Sequence, residues 1–326
     1  MATKTVIEAV REAMAEELAR DQRVLVLGED VEHGGVFRAT EGLLQQFGPN
    51  RVLDTPLAES AIVGTAIGLA LNGMRPIAEI QFADFIYPAM DQIISEAARI
   101  RYRTRGDCGC PMVIRAPYGA GVHGGLYHSQ SVEAFFFHVP GLKIAMPSTP
   151  YDAKGLLKAA VRDEDCVLFF EHKRSYRLVR GEVPEGEYVV PLGAAEVKRP
   201  GDDITAVTYG MMVHESLKAA EEVAKEGISV EVVDLRTLAP LDKETILASL
   251  RKTGKALIVY EDNLTGGVGA ELAAIIAAEA FDYLDGPVMR VAAPDIPAAP
   301  FSPPMEEFFL PNAQKIAAAL RQLAAY

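Results

Sequence analysis

RVLDTPLAESAIVGTAIGLALNGMRPIAEI, Arg51 to Ile80, holds a short apolar run that ends in a turn, a long stretch rich in small apolar residues, and a second short apolar run. VLDTP and RPIAEI read as buried strands, and the stretch between them reads as a helix. One residue is out of character. Glu59 stands immediately before SAIVGTAIGLAL, where a carboxylate is costly to bury unless it meets a donor. It could serve the free backbone N–H groups of a helix start, or it could face a ligand that the glycines and alanines allow to approach closely. The residues alone leave both readings open.

Working outward, the same alternation continues. VLVLGED is a buried strand ending in acids, and PMVIRA (111–116), LKIAMP (142–147) and CVLFFE (166–171) are further strands. YPAMDQIISEAARIRYR and TPYDAKGLLKAAVRDE are helical, as is the amphipathic opening MATKTVIEAVREAMAEELAR. Strands alternating with helices of this length predict an α/β domain with a mainly parallel sheet over residues 1–180. Residues 181–203 are rich in turn formers and charge and read as a linker. DITAVTYG, ISVEVVDL, KALIVYED and PVMRVAAPD, with helices between and after them, predict a second, smaller α/β domain over 204–326.

Composition narrows the function classes. The chain has 326 residues, 49% hydrophobic, with a formal charge of -13. That charge opposes a nucleic-acid backbone and gives no general attraction to anionic membranes. The N-terminus lacks the features of a secretory signal, and apolar stretches are interrupted before membrane-spanning length, so a cytoplasmic protein is expected. Cys108, Cys110 and Cys166 are too sparse for a structural zinc site and read as ordinary thiols.

Neither G-x-G-x-x-G after a first strand nor G-x-x-x-x-G-K-[ST] nor G-x-S-x-G occurs, which removes the usual dinucleotide, triphosphate and serine-hydrolase signatures. GGVGAEL (266–272) reads as a flexible connection before a helix. A second unusual region is RAPYGAGVHGGLYHSQSVEAFFFHVPG, residues 115–141, which sets His123 and His128 in a Gly-rich loop at a strand end. Such loops often carry chemistry in open α/β domains, and imidazole moves protons near neutral pH. His33, His138, His172 and His214 read as ordinary structural residues.

The order of VLVLGEDVEHGGVFRATEGL, RVLDTPLAESAIVGTAIGLALNGMRPIAEIQFADF, HGGLYHSQSVEAFFFHVPGLKIAMPSTPYDAKGLL, EVVDLRTLAPLD and RVAAPDIPAAPFSPPMEEFFLP resembles beta subunits of the thiamine-diphosphate-dependent decarboxylating component of 2-oxo acid dehydrogenase complexes. The resemblance covers nearly the whole chain. It implies a pyrimidine-binding domain followed by a transketolase C-terminal-like domain. In that family the glutamate of D-T-P-[LI]-x-E, here Glu59, contacts N1' of the aminopyrimidine and promotes the imino form that deprotonates the thiazolium.

By the same resemblance Leu57, Gln81 and Phe85 line the pyrimidine pocket. Relatives often have Tyr at the position of Phe85, so stacking survives here but a phenol role does not. The family's catalytic histidine corresponds to His128, with His123 a further candidate in the same loop. Asp163 and Asp165 fall in a loop that holds potassium in relatives. The diphosphate motif G-D-G followed by N is missing, and the family places it, with its Mg2+, on an alpha subunit of an α2β2 heterotetramer. A lipoyl-bearing dihydrolipoamide acyltransferase is the expected acyl acceptor. LYHSQSVEAFF and QFADF stand nearer to branched-chain members than to pyruvate members, and a transketolase-like single-chain enzyme or a non-catalytic assembly subunit are the rival readings.

Overall fold

A computed structural model describes residues 1–326. The chain forms two compact units, one of Met1–Tyr118 with Phe135–Leu192 and one of Gly119–Ala134 with Gly193–Tyr326.

The first unit is built on β2 (Val24–Gly28), β3 (Val52–Asp54), β4 (Arg75–Glu79), β5 (Val113–Tyr118), β6 (Lys143–Ala145) and β7 (Val167–His172). They lie in the order β6-β7-β5-β4-β2-β3, and every pair is parallel. β2, β4, β5 and β7 are buried along their whole length. This is why they are written as nearly continuous apolar runs rather than alternating ones. The six runs read from sequence are therefore these six strands.

Three details depart from the expected elements. The N-terminal helix begins at Val6, because Thr5 forms a capping box with Glu8: the Glu8 N–H donates to Thr5 Oγ1 at 3.4 Å, and the Thr5 N–H donates to Glu8 Oε2 at 2.7 Å. Residues before that cap form β1 (Ala2–Thr5), which pairs antiparallel with β8 (Arg180–Val183). The stretch expected to be one helix over 87–103 is instead a 3-10 turn at Tyr87–Ala89, a π-helical segment at Gln92–Ala97 and a short α-helix at Ile100–Arg103. The Ala98 N–H reaches back five residues to the Ile93 carbonyl at 3.0 Å, which rotates the face that follows.

The second unit has a five-stranded sheet. β9 (Glu196–Arg199), β10 (Ile204–Thr208), β11 (Val230–Asp234), β13 (Ala256–Asn263) and β14 (Met289–Ala293) take the order β14-β13-β10-β11-β9. Only β9 runs antiparallel to its neighbour. A short strand β12 (Thr237–Ala239) lies outside this sheet. β8 and β9 fall within residues 180–203, so the turn-rich stretch contains short extended pieces. The Gly-rich loop at 119–134 groups with the second unit, although in sequence it follows β5 of the first.

Candidate active site

In the first unit, the C-terminal ends of β2, β3 and β4 carry the residues of interest, as expected for ligand sites of open parallel sheets. β2 leads into Glu29, β3 into the turn that precedes Glu59, and β4 into Gln81–Phe85.

Glu59 is the first residue of the helix Glu59–Leu71 and is 9% exposed. Ala58 occupies the N-cap, and no side chain caps this helix. Glu59 is thus not spent on capping, and its side chain forms no hydrogen bond or ion pair within the chain. Buried carboxylates ordinarily have donors, so its environment suits an external hydrogen-bonding group. Around it the helix offers little bulk: Ala61, Thr65 and Gly68 are exposed along one side, and Gly64 is partly so. Leu57, in the turn before Glu59, is 79% exposed.

Sequence reasoning missed Glu29 as a partner of this site. It is buried, and its carboxyl is raised above the usual range, first by burial and then by the negative charges of Glu59, Asp30 and Glu79. The signal was present in the acids that end VLVLGED, but only the sheet order β4-β2-β3 brings them near residue 59. Gln81 is tied to the same turn, its amide donating to Asp30 Oδ2 at 3.1 Å and to the Glu29 carbonyl at 3.5 Å.

Phe85 stands edge-on to Phe82 with centroids 5.8 Å apart. Phe82 in turn meets Phe37 edge-on at 5.3 Å, and Phe37 meets Tyr176 at 5.3 Å. The end of this aromatic ladder is fixed by a buried ion network. The Tyr176 hydroxyl donates to Glu171 Oε2 at 2.6 Å, and Arg115 donates to both Glu171 oxygens at 2.6 and 2.7 Å and to Glu79 Oε2 at 2.5 Å. Arg115 and Glu171 are fully buried, so each charge depends on the others. Sequence reading did not identify this network.

His123 and His128 belong to the second unit. The loop is held by carboxylates of that unit: the Ala120 N–H donates to Glu261 Oε1 at 2.7 Å, and the Gly121 N–H donates to Glu306 Oε1 at 2.8 Å. His123 Nδ1 lies 2.5 Å from Glu306 Oε2. His128 follows the 3-10 turn Gly125–Tyr127 and is half-buried. The backbone closes tightly on it, since a Cβ on Gly124 would lie 2.7 Å from the His128 carbonyl oxygen. Glu133, at the end of the loop, is buried and accepts from the Tyr209 hydroxyl at 2.9 Å. Burial, with the charge of Asp262 next, holds its carboxyl well above the ordinary range. Asp262 itself is pushed up to about 6, mainly by burial.

Asp163 and Asp165 do come together, but with cations of this chain. Lys143 Nζ donates to both Asp163 oxygens at 2.7 Å, and Arg101 Nε donates to Asp165 Oδ1 at 2.6 Å. Arg75 takes the carbonyls of Val161 and Asp163 at 3.1 and 2.8 Å. The carboxylates and carbonyls of this loop are thus engaged by cations of the chain itself. No group of three or more His, Cys, Asp or Glu side chains has a metal-holding arrangement. The three cysteines are free thiols, and burial pushes Cys110 up to about 12. No helix is long and apolar enough to cross a membrane.

Residues 2–179 match the family model of the transketolase pyrimidine-binding domain, and residues 193–316 that of the transketolase C-terminal domain. The chain is 63% identical to 2-oxoisovalerate dehydrogenase subunit beta of Bacillus subtilis (strain 168), over the full length of both. It is 52% identical to pyruvate dehydrogenase E1 component subunit beta of the same organism, over 99% of each. Among solved structures it resembles a split gene transketolase, described as an inactive beta4 tetramer, with a TM-score of 0.75 and 25% identity over 98% of both chains.

Proposed function

Because the chain belongs to the family of 2-oxo acid dehydrogenase beta subunits, built from transketolase pyrimidine-binding and C-terminal domains, we propose that it is the beta subunit of a branched-chain 2-oxo acid dehydrogenase. It acts with an alpha subunit in an α2β2 assembly, oxidatively decarboxylates branched 2-oxo acids and delivers the acyl group to the lipoyl arm of an acyltransferase. The greater identity to the 2-oxoisovalerate relative than to the pyruvate relative supports this substrate class. Pyruvate is the second reading, favoured by the smaller but still high identity to the pyruvate relative.

The observation that carries the proposal is the buried Glu59 carboxylate, uncommitted within the chain and bordered by small side chains. Its surroundings fit the aminopyrimidine of thiamine diphosphate, whose N1' offers a hydrogen-bonding atom. When bound, thiamine diphosphate supplies the nucleophilic carbon and the electron sink that a 2-oxo acid needs to lose carbon dioxide. Glu59 would hold the proton at N1', a role in which a preplaced carboxylate lowers the barrier to proton redistribution. Glu29, raised first by burial and then by its acidic neighbours, favours a neutral carboxyl near Glu59. Phe85, Leu57 and Gln81 would border the ring. His128 would donate or accept a proton during acyl transfer.

The diphosphate motif is missing from the sequence, so the proposal assigns Mg2+ and diphosphate to the alpha subunit. The exposed apolar side chains Leu57, Leu71, Tyr87 and Phe135 of the first unit support a partner surface there.

The test is Glu59→Gln in the assembled complex. Carbon dioxide release with an artificial electron acceptor should fall by about 100-fold or more. Near-normal release would remove Glu59 from the chemistry and favour a non-catalytic assembly role.

A further inference from the structure

Glu306 is a carboxylate of the short helix Pro303–Phe309 and is 2% exposed. All three of its described contacts fall on one loop. Oε1 accepts from the N–H of Gly121 at 2.8 Å and from the N–H of His123 at 3.3 Å, while Oε2 lies 2.5 Å from His123 Nδ1. Gly121 and His123 have φ of 83° and 56°. Left-handed backbone turns successive N–H groups toward a common anion, and a non-glycine residue adopts that conformation only at some cost. The carboxylate offsets that cost by bonding both N–H groups.

An ionised carboxylate only accepts hydrogen bonds, so the imidazole atom facing it must carry the proton. The His123 side chain is 54% exposed, and with Nδ1 facing Glu306 Oε2 its other nitrogen, Nε2, is the one available to an outside group. We propose that Glu306 is a positioning residue: it fixes His123 as the Nδ1–H tautomer, leaving Nε2 as a proton acceptor for the acyl-transfer step. The role in acyl transfer rests on the functional reading above; the tautomer does not. A carboxylate that orients the far nitrogen of an imidazole is a recurrent way to fix which nitrogen reacts.

The variant that separates orientation from mere support is Glu306→Gln. Its amide oxygen can still accept the two backbone N–H groups, but its NH2 must donate to Nδ1, which moves the imidazole proton to Nε2. The measurement is nitrogen NMR of the α2β2 complex with 15N-labelled histidine in this chain, His123 being assigned by its loss in His123→Ala. Wild type should show Nδ1 protonated and Nε2 bare, and Glu306→Gln the reverse. A wild-type Nε2–H form, or no change in the variant, overturns the proposal, and the wild-type spectrum decides even if the variant does not fold.

In kinetics, Glu306→Gln and His123→Ala should each lower acyl transfer to a lipoyl domain about 100-fold, with the double variant no worse than either. Multiplying losses would show that the two act separately and would overturn the assignment. If Glu59→Gln and His128→Ala leave decarboxylation and acyl transfer normal, it is the functional reading that fails, and the tautomer result still stands or falls by itself.

Discussion

Glu59 and Glu29 form a pair of buried carboxyls in which the charge of the first helps to raise the titration of the second. A buried carboxyl raised by burial and by the charge of a neighbouring acid is a pattern recurrent in acid–base sites. The pair comes from β2 and the turn after β3, neighbours in the sheet although thirty residues apart in the chain.

The coupling predicts a measurable shift. Removing the negative charge in Glu59→Gln should lower the Glu29 carboxyl toward the ordinary range while leaving burial as the remaining upward influence. Carboxyl infrared difference titration of wild type and variant would show it. An unmoved Glu29 would mean that the two carboxyls do not interact.

For His128→Ala, acyl transfer to a lipoyl domain should fall more than decarboxylation with an artificial acceptor. A proton-handling histidine typically contributes about 10²- to 10⁴-fold to its own step. Parallel assays of the two reactions decide the matter, and equal losses would assign His128 an early or structural role.

The Arg115 network predicts a hierarchy of stability. Arg115→Met leaves Glu79 and Glu171 buried without their cation and should cost about 3–5 kcal/mol. Tyr176→Phe removes one hydrogen bond to a charged acceptor and should cost about 1.5–3 kcal/mol. Denaturant unfolding would compare them; equal costs would contradict the account of the network.

Asp262 makes the stability of the second unit depend on pH. Its folded-state value is raised from 3.8 to about 6, burial being the first cause. Between about pH 4 and 6 the folded chain keeps a proton that the unfolded chain has released. Stability from this group is therefore full below about pH 4 and lost as pH rises through about 6. Relative to wild type, Asp262→Asn should gain on the order of 1–3 kcal/mol on going from pH 4 to pH 7. Unfolding titrations at both pH values test this, and a change of opposite sign would refute it.

How much of this was legible depends on where each residue's partners lie. The strands of the first sheet could be read because burial on both faces writes each as an uninterrupted apolar run, VLVLG and VLFFE among them. The start of the first helix could not be placed from periodicity, because the Thr5–Glu8 capping box, a local polar exchange, sets it. Glu59 stood out as a carboxylate before an apolar run, whereas Glu29 looked like an ordinary acid at a strand end until β2, β3 and β4 were side by side. Glu306 was hidden for the same reason, its loop partners Gly121 and His123 lying 185 and 183 residues away in the chain. Asp163 and Asp165 lie in a stretch whose local sequence looks like a cation loop, and Lys143, Arg101 and Arg75, distant in the chain, fold onto it.

The most direct test is carbon dioxide release by the purified chain, alone and coexpressed with an alpha subunit from the same genome, with thiamine diphosphate, Mg2+, an artificial acceptor and either a branched 2-oxo acid or pyruvate. The account predicts activity only in the mixture, and faster on the branched acid. Activity from the chain alone, or preference for pyruvate in the assembled complex, would contradict it.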